Sequence, residues 1–344
     1  MRGWFMMVAA GAAAMASATT VTFSGKTQDR ITASAPLAFV SLEPNVGFMA
    51  TGDAAGDATF LSPNTNIQTG EHGYWTVTFR ATEVAIFQTL TLDVGIFNSE
   101  GKPQGADTER TATFEATVGG KTVSATHTCM GADPLSNQNN IVTLDFGRVI
   151  ALGVGDELTV SCKRAEETLG CFFGLKSLSW EDETLTVGAE GLTWPNGAEE
   201  LTVVFDGGTL TVPSGVTARR LRVVEGGSGT GAIVIASGAA LEGADTGEPR
   251  VPAFAIPPEV EVRVEAKGAL LMDGRLSCPV TAVLGARLGA ATENGTLTLD
   301  NLTTEGTPMV VQGCLEVYRV WDFAFAEGAV LRRWDGNGYT LRLR

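Results

Sequence analysis

The chain has 344 residues, with 24 basic against 39 acidic side chains and a formal net charge of -15, a balance that argues against nucleic acid and anionic lipid as partners. Apolar residues make up 44%, enough for a sizeable core, and the length accommodates two domains of roughly 100 to 200 residues each. Two histidines, and cysteines without metal-ligand spacing, leave little material for a zinc site or a histidine-dependent triad.

The opening MRGWFMMVAAGAAAMASATT carries Arg2, an apolar run from Gly3 to Met15 and the small-x-small pattern Ala16-Ser17-Ala18 before Thr19. It reads as a secretory signal peptide over residues 1–18, which predicts a secreted or cell-surface protein. No later apolar run is long enough to span a membrane, so no transmembrane segment is expected. In an exported chain the cysteines default to disulfides. Cys162 and Cys171 flank a short stretch that can close a hairpin, Cys278 and Cys314 would pair in the second half, and Cys129 is left odd; spacing alone leaves the connectivity open.

From Tyr74 onward the chain alternates apolar and polar residues. Val77 and Phe79 share a face, as do Leu90, Leu92, Val94 and Ile96, then Ala112, Phe114, Ala116 and Val118, then Val142, Leu144 and Phe146. The opposite positions are mostly Thr, Asp or Glu, the pattern of strands with one buried and one wet face. Turn-forming stretches separate them at 98–105, 119–120, 133–140 and 152–156. Short strands at this spacing, with no helical period, predict an antiparallel β-sandwich over residues 19–181.

The stretches TVTFRA, TLTLDVGIFNSEGKPQ, VTLDF followed by GDELTVSC, and GCFFGLKSLSW ending at Trp180 resemble the galactose-binding-like jelly rolls of bacterial exported proteins and carbohydrate-binding modules. The resemblance covers roughly residues 60–181; it implies a jelly-roll β-sandwich and hints at sugar recognition. It also implies a calcium ion or a ligand in loops such as the one carrying Asp133, Asn137, Gln138, Asn139 and Asn140. By composition that stretch is a loop, because Asn and Asp tolerate turn geometry; Asp53 and Asp57 admit the same two readings. Tyr74 and Trp75 read either as a sugar-stacking platform or as the entry of a core strand. Phe172 and Phe173 are adjacent, so one faces the core and the other a surface, where it is a contact candidate. His127 and Cys129 share a face and read as core residues before they read as metal ligands.

After Trp180 the stretch EDETLTVGAEGLTWPNGAEE is polar and turn-rich, and marks a domain boundary near Glu181 to Gly197. Beyond it come short L-T-V cassettes with irregular spacing, joined by SG, GG, EG or NG turns. They predict a β-solenoid-like domain over 182–344 or, failing that, a second β-sandwich. The cassette TLTVPSGVTARRLRVV resembles coils of bacterial β-helices in autotransporter-like surface proteins, best over residues 200–243. Many such β-helices are polysaccharide lyases or hydrolases that gather acids on one face. Here Asp206, Asp245, Asp273, Asp300, Asp322 and Asp335 are scattered singly, which gives that enzymatic branch no support. Gly247 to Pro258, rich in proline, reads as a loop, and DGNG near the end as the turn of a hairpin that caps the open end.

The fold class expected is therefore all-β, a jelly-roll β-sandwich followed by a short β-solenoid-like domain. The function expected is that of a secreted or cell-surface adhesin-like binding protein, without catalysis, whose partner is a glycan or another cell-surface component. A structural spacer of a surface assembly and a glycan-active enzyme are the alternatives. Tyr74, Trp75, Asp133, Asn137, Asn139 and Phe172 are the ligand-binding candidates; no cofactor is required beyond the calcium ion that the resemblance implies.

Overall fold

A computed structural model describes residues 18–24, 31–43, 61, 74–98, 102–164, 172–243, 254–283, 285–292, 295–305, 310–312, 314–317, 320–321, 330–333 and 339–343. Residues 1–17, Asp53, Asp57, His72 and Cys171 lie outside the described residues, as do the stretch DGNG and the side chains of Tyr74 and Cys314. Among the described residues the chain is all-β apart from one 3-10 turn at Leu135–Asn137, and no helix is long and apolar enough to cross a membrane.

Among the described residues ten strands build the first half: β1 Ala18–Ser24, β2 Thr32–Ala33, β3 Leu37–Glu43, β4 Tyr74–Ala81, β5 Ala85–Phe97, β6 Glu109–Val118, β7 Lys121–Met130, β8 Asn140–Leu152, β9 Glu157–Arg164 and β10 Phe172–Glu181. They form two antiparallel sheets of five, in the orders β2-β1-β10-β5-β8 and β3-β4-β9-β6-β7. The alternation read from the sequence is the packing: Leu90, Leu92, Val94 and Ile96 of β5 are wholly buried, as are Val77 and Phe79 of β4 and Ala112, Phe114 and Ala116 of β6. Between the sheets Phe23 stacks on Phe79 at 5.5 Å, and Phe114 meets Phe173 edge-on at 6.0 Å.

From Leu185 the pairing becomes parallel. Leu192, Leu210, Ile233, Val262, Val280 and Leu302 are register partners in turn, one above the next along a single sheet. Two further parallel sheets run beside it, one through 185–187, 200–205, 220–223 and 254–255, the other through 217–218, 240–243, 269–272, 287–289 and 310–312. The chain thus winds in coils whose inward apolar residues bury one another. The spacing looked irregular because an 18-residue coil, as from Leu192 to Leu210 and from Val262 to Val280, is lengthened at its turns elsewhere. Leu210 and Ile233 are 23 residues apart, and Ile233 and Val262 are 29 apart. After Cys314–Val317 the strand Tyr339–Leu343 pairs antiparallel with it and with Val330–Arg333, ending the parallel stack.

The boundary is tighter than its polar composition suggested. Trp180, Leu185, Val187 and Trp194 are buried, and Trp194 Nε1 donates to the Ala198 carbonyl at 2.8 Å. Val154 N donates to the Asn196 carbonyl at 2.7 Å while Asn196 Nδ2 donates to the Val154 carbonyl at 2.9 Å, and Arg148 pairs with Glu190. Val84, Ile86, Val149 and Ala151 of the sandwich pack on the core of the coils. An open coil end exposes apolar side chains, and the sandwich covers this one.

Of the cysteine pairings anticipated, Cys162–Cys171 falls on Cys171, outside the described residues, and Cys278–Cys314 does not carry over. Cys278 is a buried free thiol, and the strand Thr296–Glu305 lies between its strand and that of Cys314. Two strand spacings are about 9.5 Å, beyond the roughly 7 Å that a disulfide bridges.

Candidate functional site

The sandwich has two unlike ends. At one, β4, β6 and β8 connect to their successors through the short turns 82–84, 119–120 and 153–156, at the end that meets the coils. At the other, β3, β5, β7 and β9 finish and β4, β6, β8 and β10 begin, with longer connections at 44–73, 98–108, 131–139 and 165–171. Loops freed from packing are where recognition residues can sit.

Within that loop end the 131–139 segment is pinned from beneath. Gln138, 3% exposed, accepts from Ile96 N at 2.8 Å through Oε1, and its Nε2 donates to the carbonyls of Ile96 and Ala132. Asn140, 1% exposed, accepts from Met130 N at 2.7 Å and donates to the carbonyls of Val94 and Met130. Gly131 N donates to the Thr108 carbonyl, and a Cβ on Gly131 would stand 2.2 Å from the Gly105 carbonyl oxygen; only glycine lets the two loops close up this far. Lys176, buried, spans the base of the loop from Asp93 to the Gln138 carbonyl.

What this scaffold leaves in solvent is a mixed surface. Asp133, Asn137 and Asn139 are exposed, and their side chains make no hydrogen bond among the described residues. Met130 and Ile141, 42% and 44% exposed, flank the same loop, and they are two of the three exposed large apolar side chains among the described residues. Amide and carboxylate partners thus sit beside apolar contact area on a fixed frame.

The candidates divide accordingly. Asp133, Asn137 and Asn139 come together on one loop, while Phe172 starts β10 at the same end, half-buried opposite Phe97; its neighbour Phe173 is the core residue of the pair. Tyr74 begins β4 at this end too. Trp75 is not a platform: it is 3% exposed and its Nε1 donates to the Phe173 carbonyl at 3.1 Å, because its position in β4 points it between the sheets. Met130, Ile141 and the Asp93–Lys176 pair are not among the sequence candidates, although Ile141 precedes the inward Val142 and Met130 follows the inward Cys129, which places apolar side chains on wet faces. His127 is half-buried on β7, and among the described residues no group of three or more His, Cys, Asp or Glu is arranged to hold a metal ion.

A concavity of about 390 Å³ lies on the first coils, lined by Glu190, Gly191, Thr193, Gly208, Thr209 and Thr211. Its one carboxylate, that of Glu190, is already held by Arg148.

No family model and no curated protein matches the chain. Among solved structures, the catalytic domain of a GH87 alpha-1,3-glucanase in complex with tetrasaccharides is similar at 11% identity and a TM-score of 0.25, over 86% of this chain and 69% of that one. A CBM35 from Cellvibrio japonicus Abf62 is similar at 15% identity and a TM-score of 0.22, over 47% of this chain and 91% of its own. A family two carbohydrate esterase from Cellvibrio japonicus is similar at 9% identity and a TM-score of 0.23, over 56% and 40% of the two chains. These TM-scores are too low to transfer a fold or a function to this chain.

Proposed function

We propose that the protein is an exported, non-catalytic glycan-binding protein. The sandwich contacts the glycan at its loop end, and the coils, joined to the opposite end, hold that surface away from the cell. The observation that carries this reading is the placement of Met130 and Ile141 on either side of the pinned 131–139 loop. Sugar rings offer hydroxyls on their rims and C–H groups on their faces, so a site for them needs polar partners and apolar area together. Here the polar partners lie on a loop whose backbone is already fixed and the apolar side chains on the strands that flank it, which lowers the ordering cost of binding.

Incubating the full chain with an array of oligosaccharides, and separately with polysaccharide substrates, tests the reading. Binding without turnover is the expected result. Turnover would replace it with a glycan-active enzyme, and silence on both would favour the structural spacer.

A further inference from the structure

Beneath the loop lies an ion pair that the fold by itself does not require. Lys176 is 7% exposed and its Nζ stands 2.7 Å from Asp93 Oδ1, with a second bond of 3.0 Å to the Gln138 carbonyl. Burying the lysine charge carries a desolvation cost, which the Asp93 carboxylate and the Gln138 carbonyl offset. Lys176 sits where the β10–β5 register slips between Leu175 and Ser177, and such bulges re-aim a side chain. Asp93 Oδ1 is wholly buried against the lysine, yet the Asp93 side chain remains 33% exposed, so Oδ2 is the oxygen that a ligand can reach. Register sets Asp93 directly opposite Ile141 on β8 and Ser177 on β10, on the outward face of the sheet. A fixed carboxylate oxygen therefore stands beside an exposed apolar side chain, next to the loop that carries Asn139.

The geometry points to Asp93 and Ile141 as a sugar-binding pair that selects neutral glycans. This inference rests on the glycan-binding reading and extends it onto the sheet face. Asp93 Oδ2 accepts hydrogen bonds from ring hydroxyls, and Ile141 covers the C–H face of the same ring. Lys176 is a positioning residue: it fixes the carboxylate and, through the Gln138 carbonyl, the loop. An anionic glycan would meet Asp93 and Asp133 on a chain of net charge -15, so like charges oppose it.

The test compares the full chain with its Ile141→Ala, Asp93→Asn and Asn139→Ala variants on neutral oligosaccharides and their sulfated counterparts, with melting curves alongside. Ile141 is exposed, so Ile141→Ala is expected to melt like the parent and to bind the neutral glycan about tenfold more weakly. Asp93→Asn is expected to weaken binding as well; if it also lowers the melting temperature, Ile141→Ala decides. Parental affinity in both variants, with Asn139→Ala impaired, overturns the pair and leaves the glycan-binding reading standing. Preference of the parent for sulfated glycans overturns the neutral class. If the parent binds no glycan at all, the reading itself fails and this inference falls with it.

Discussion

Trp75 shows how one side chain's burial decides between two roles that its chemistry permits equally. Its ring is packed between the sheets and its indole N–H is satisfied by the Phe173 carbonyl. Trp75→Ala is therefore expected to destabilise the fold by about 3 to 5 kcal/mol in a denaturant titration, a cavity cost rather than a loss of ligand contact. Asn137→Ala, at an exposed position, should stay within about 0.5 kcal/mol of the parent. Cys278 is a second residue whose surroundings set its chemistry. Burial pushes its thiol up from 9.0 to about 12, and the nearby Asp300 carboxylate adds to the shift. The fold favours the neutral form, so the stability it contributes is intact below pH 9.0 and is lost as pH rises towards about 12. An alkylating reagent at pH 8 should leave Cys278 unmodified in the folded chain and label it once the chain is unfolded, as mass spectrometry of the digest would show.

At the level of the element, the 131–139 loop owes its shape to amides that face inward. Gln138 and Asn140 spend their hydrogen bonds on the strands around them, while Asp133, Asn137 and Asn139 spend none among the described residues. A calcium ion takes about six to eight oxygen ligands, and Asp133 is the one carboxylate in this loop. Chelation with EDTA is accordingly expected to leave both the melting temperature and any glycan binding unchanged. A fall in melting temperature on chelation would mean that an ion, rather than Gln138 and Asn140, holds the loop.

For the whole molecule, the sandwich is the cap of the coils as well as their neighbour. Val84, Ile86, Val149 and Ala151 cover the first coil, and Asn196 bonds Val154 in both directions. Residues 182–344 expressed alone would expose that apolar end, and repeat stacks without a cap aggregate. The fragment is expected to be insoluble or unfolded by circular dichroism, and the full chain to melt in a single calorimetric transition. Gly197, at φ 78°, lets the two halves close; a Cβ there would stand 2.5 Å from Val154 Cγ2. Gly197→Ala should therefore cost about 1 to 2 kcal/mol from the backbone alone, before the contact with Val154 is counted. A melting temperature equal to the parent's would show that the junction is looser than the packing implies.

The sequence by itself determined the all-β class and the inward face of each strand, because a side-chain period of two is a local property that the chain must obey wherever it folds. It also determined that Asp133, Asn137 and Asn139 lie in a loop, since their types tolerate turns. Tertiary structure decided the rest. Whether Trp75 faced water or core depended on a second sheet from a distant part of the chain, and the coil length stayed hidden because surplus turn residues broke the spacing. The pairing of Asp93 with Lys176, and its place opposite Ile141, arise from strands joined through long-range register, which no local pattern encodes.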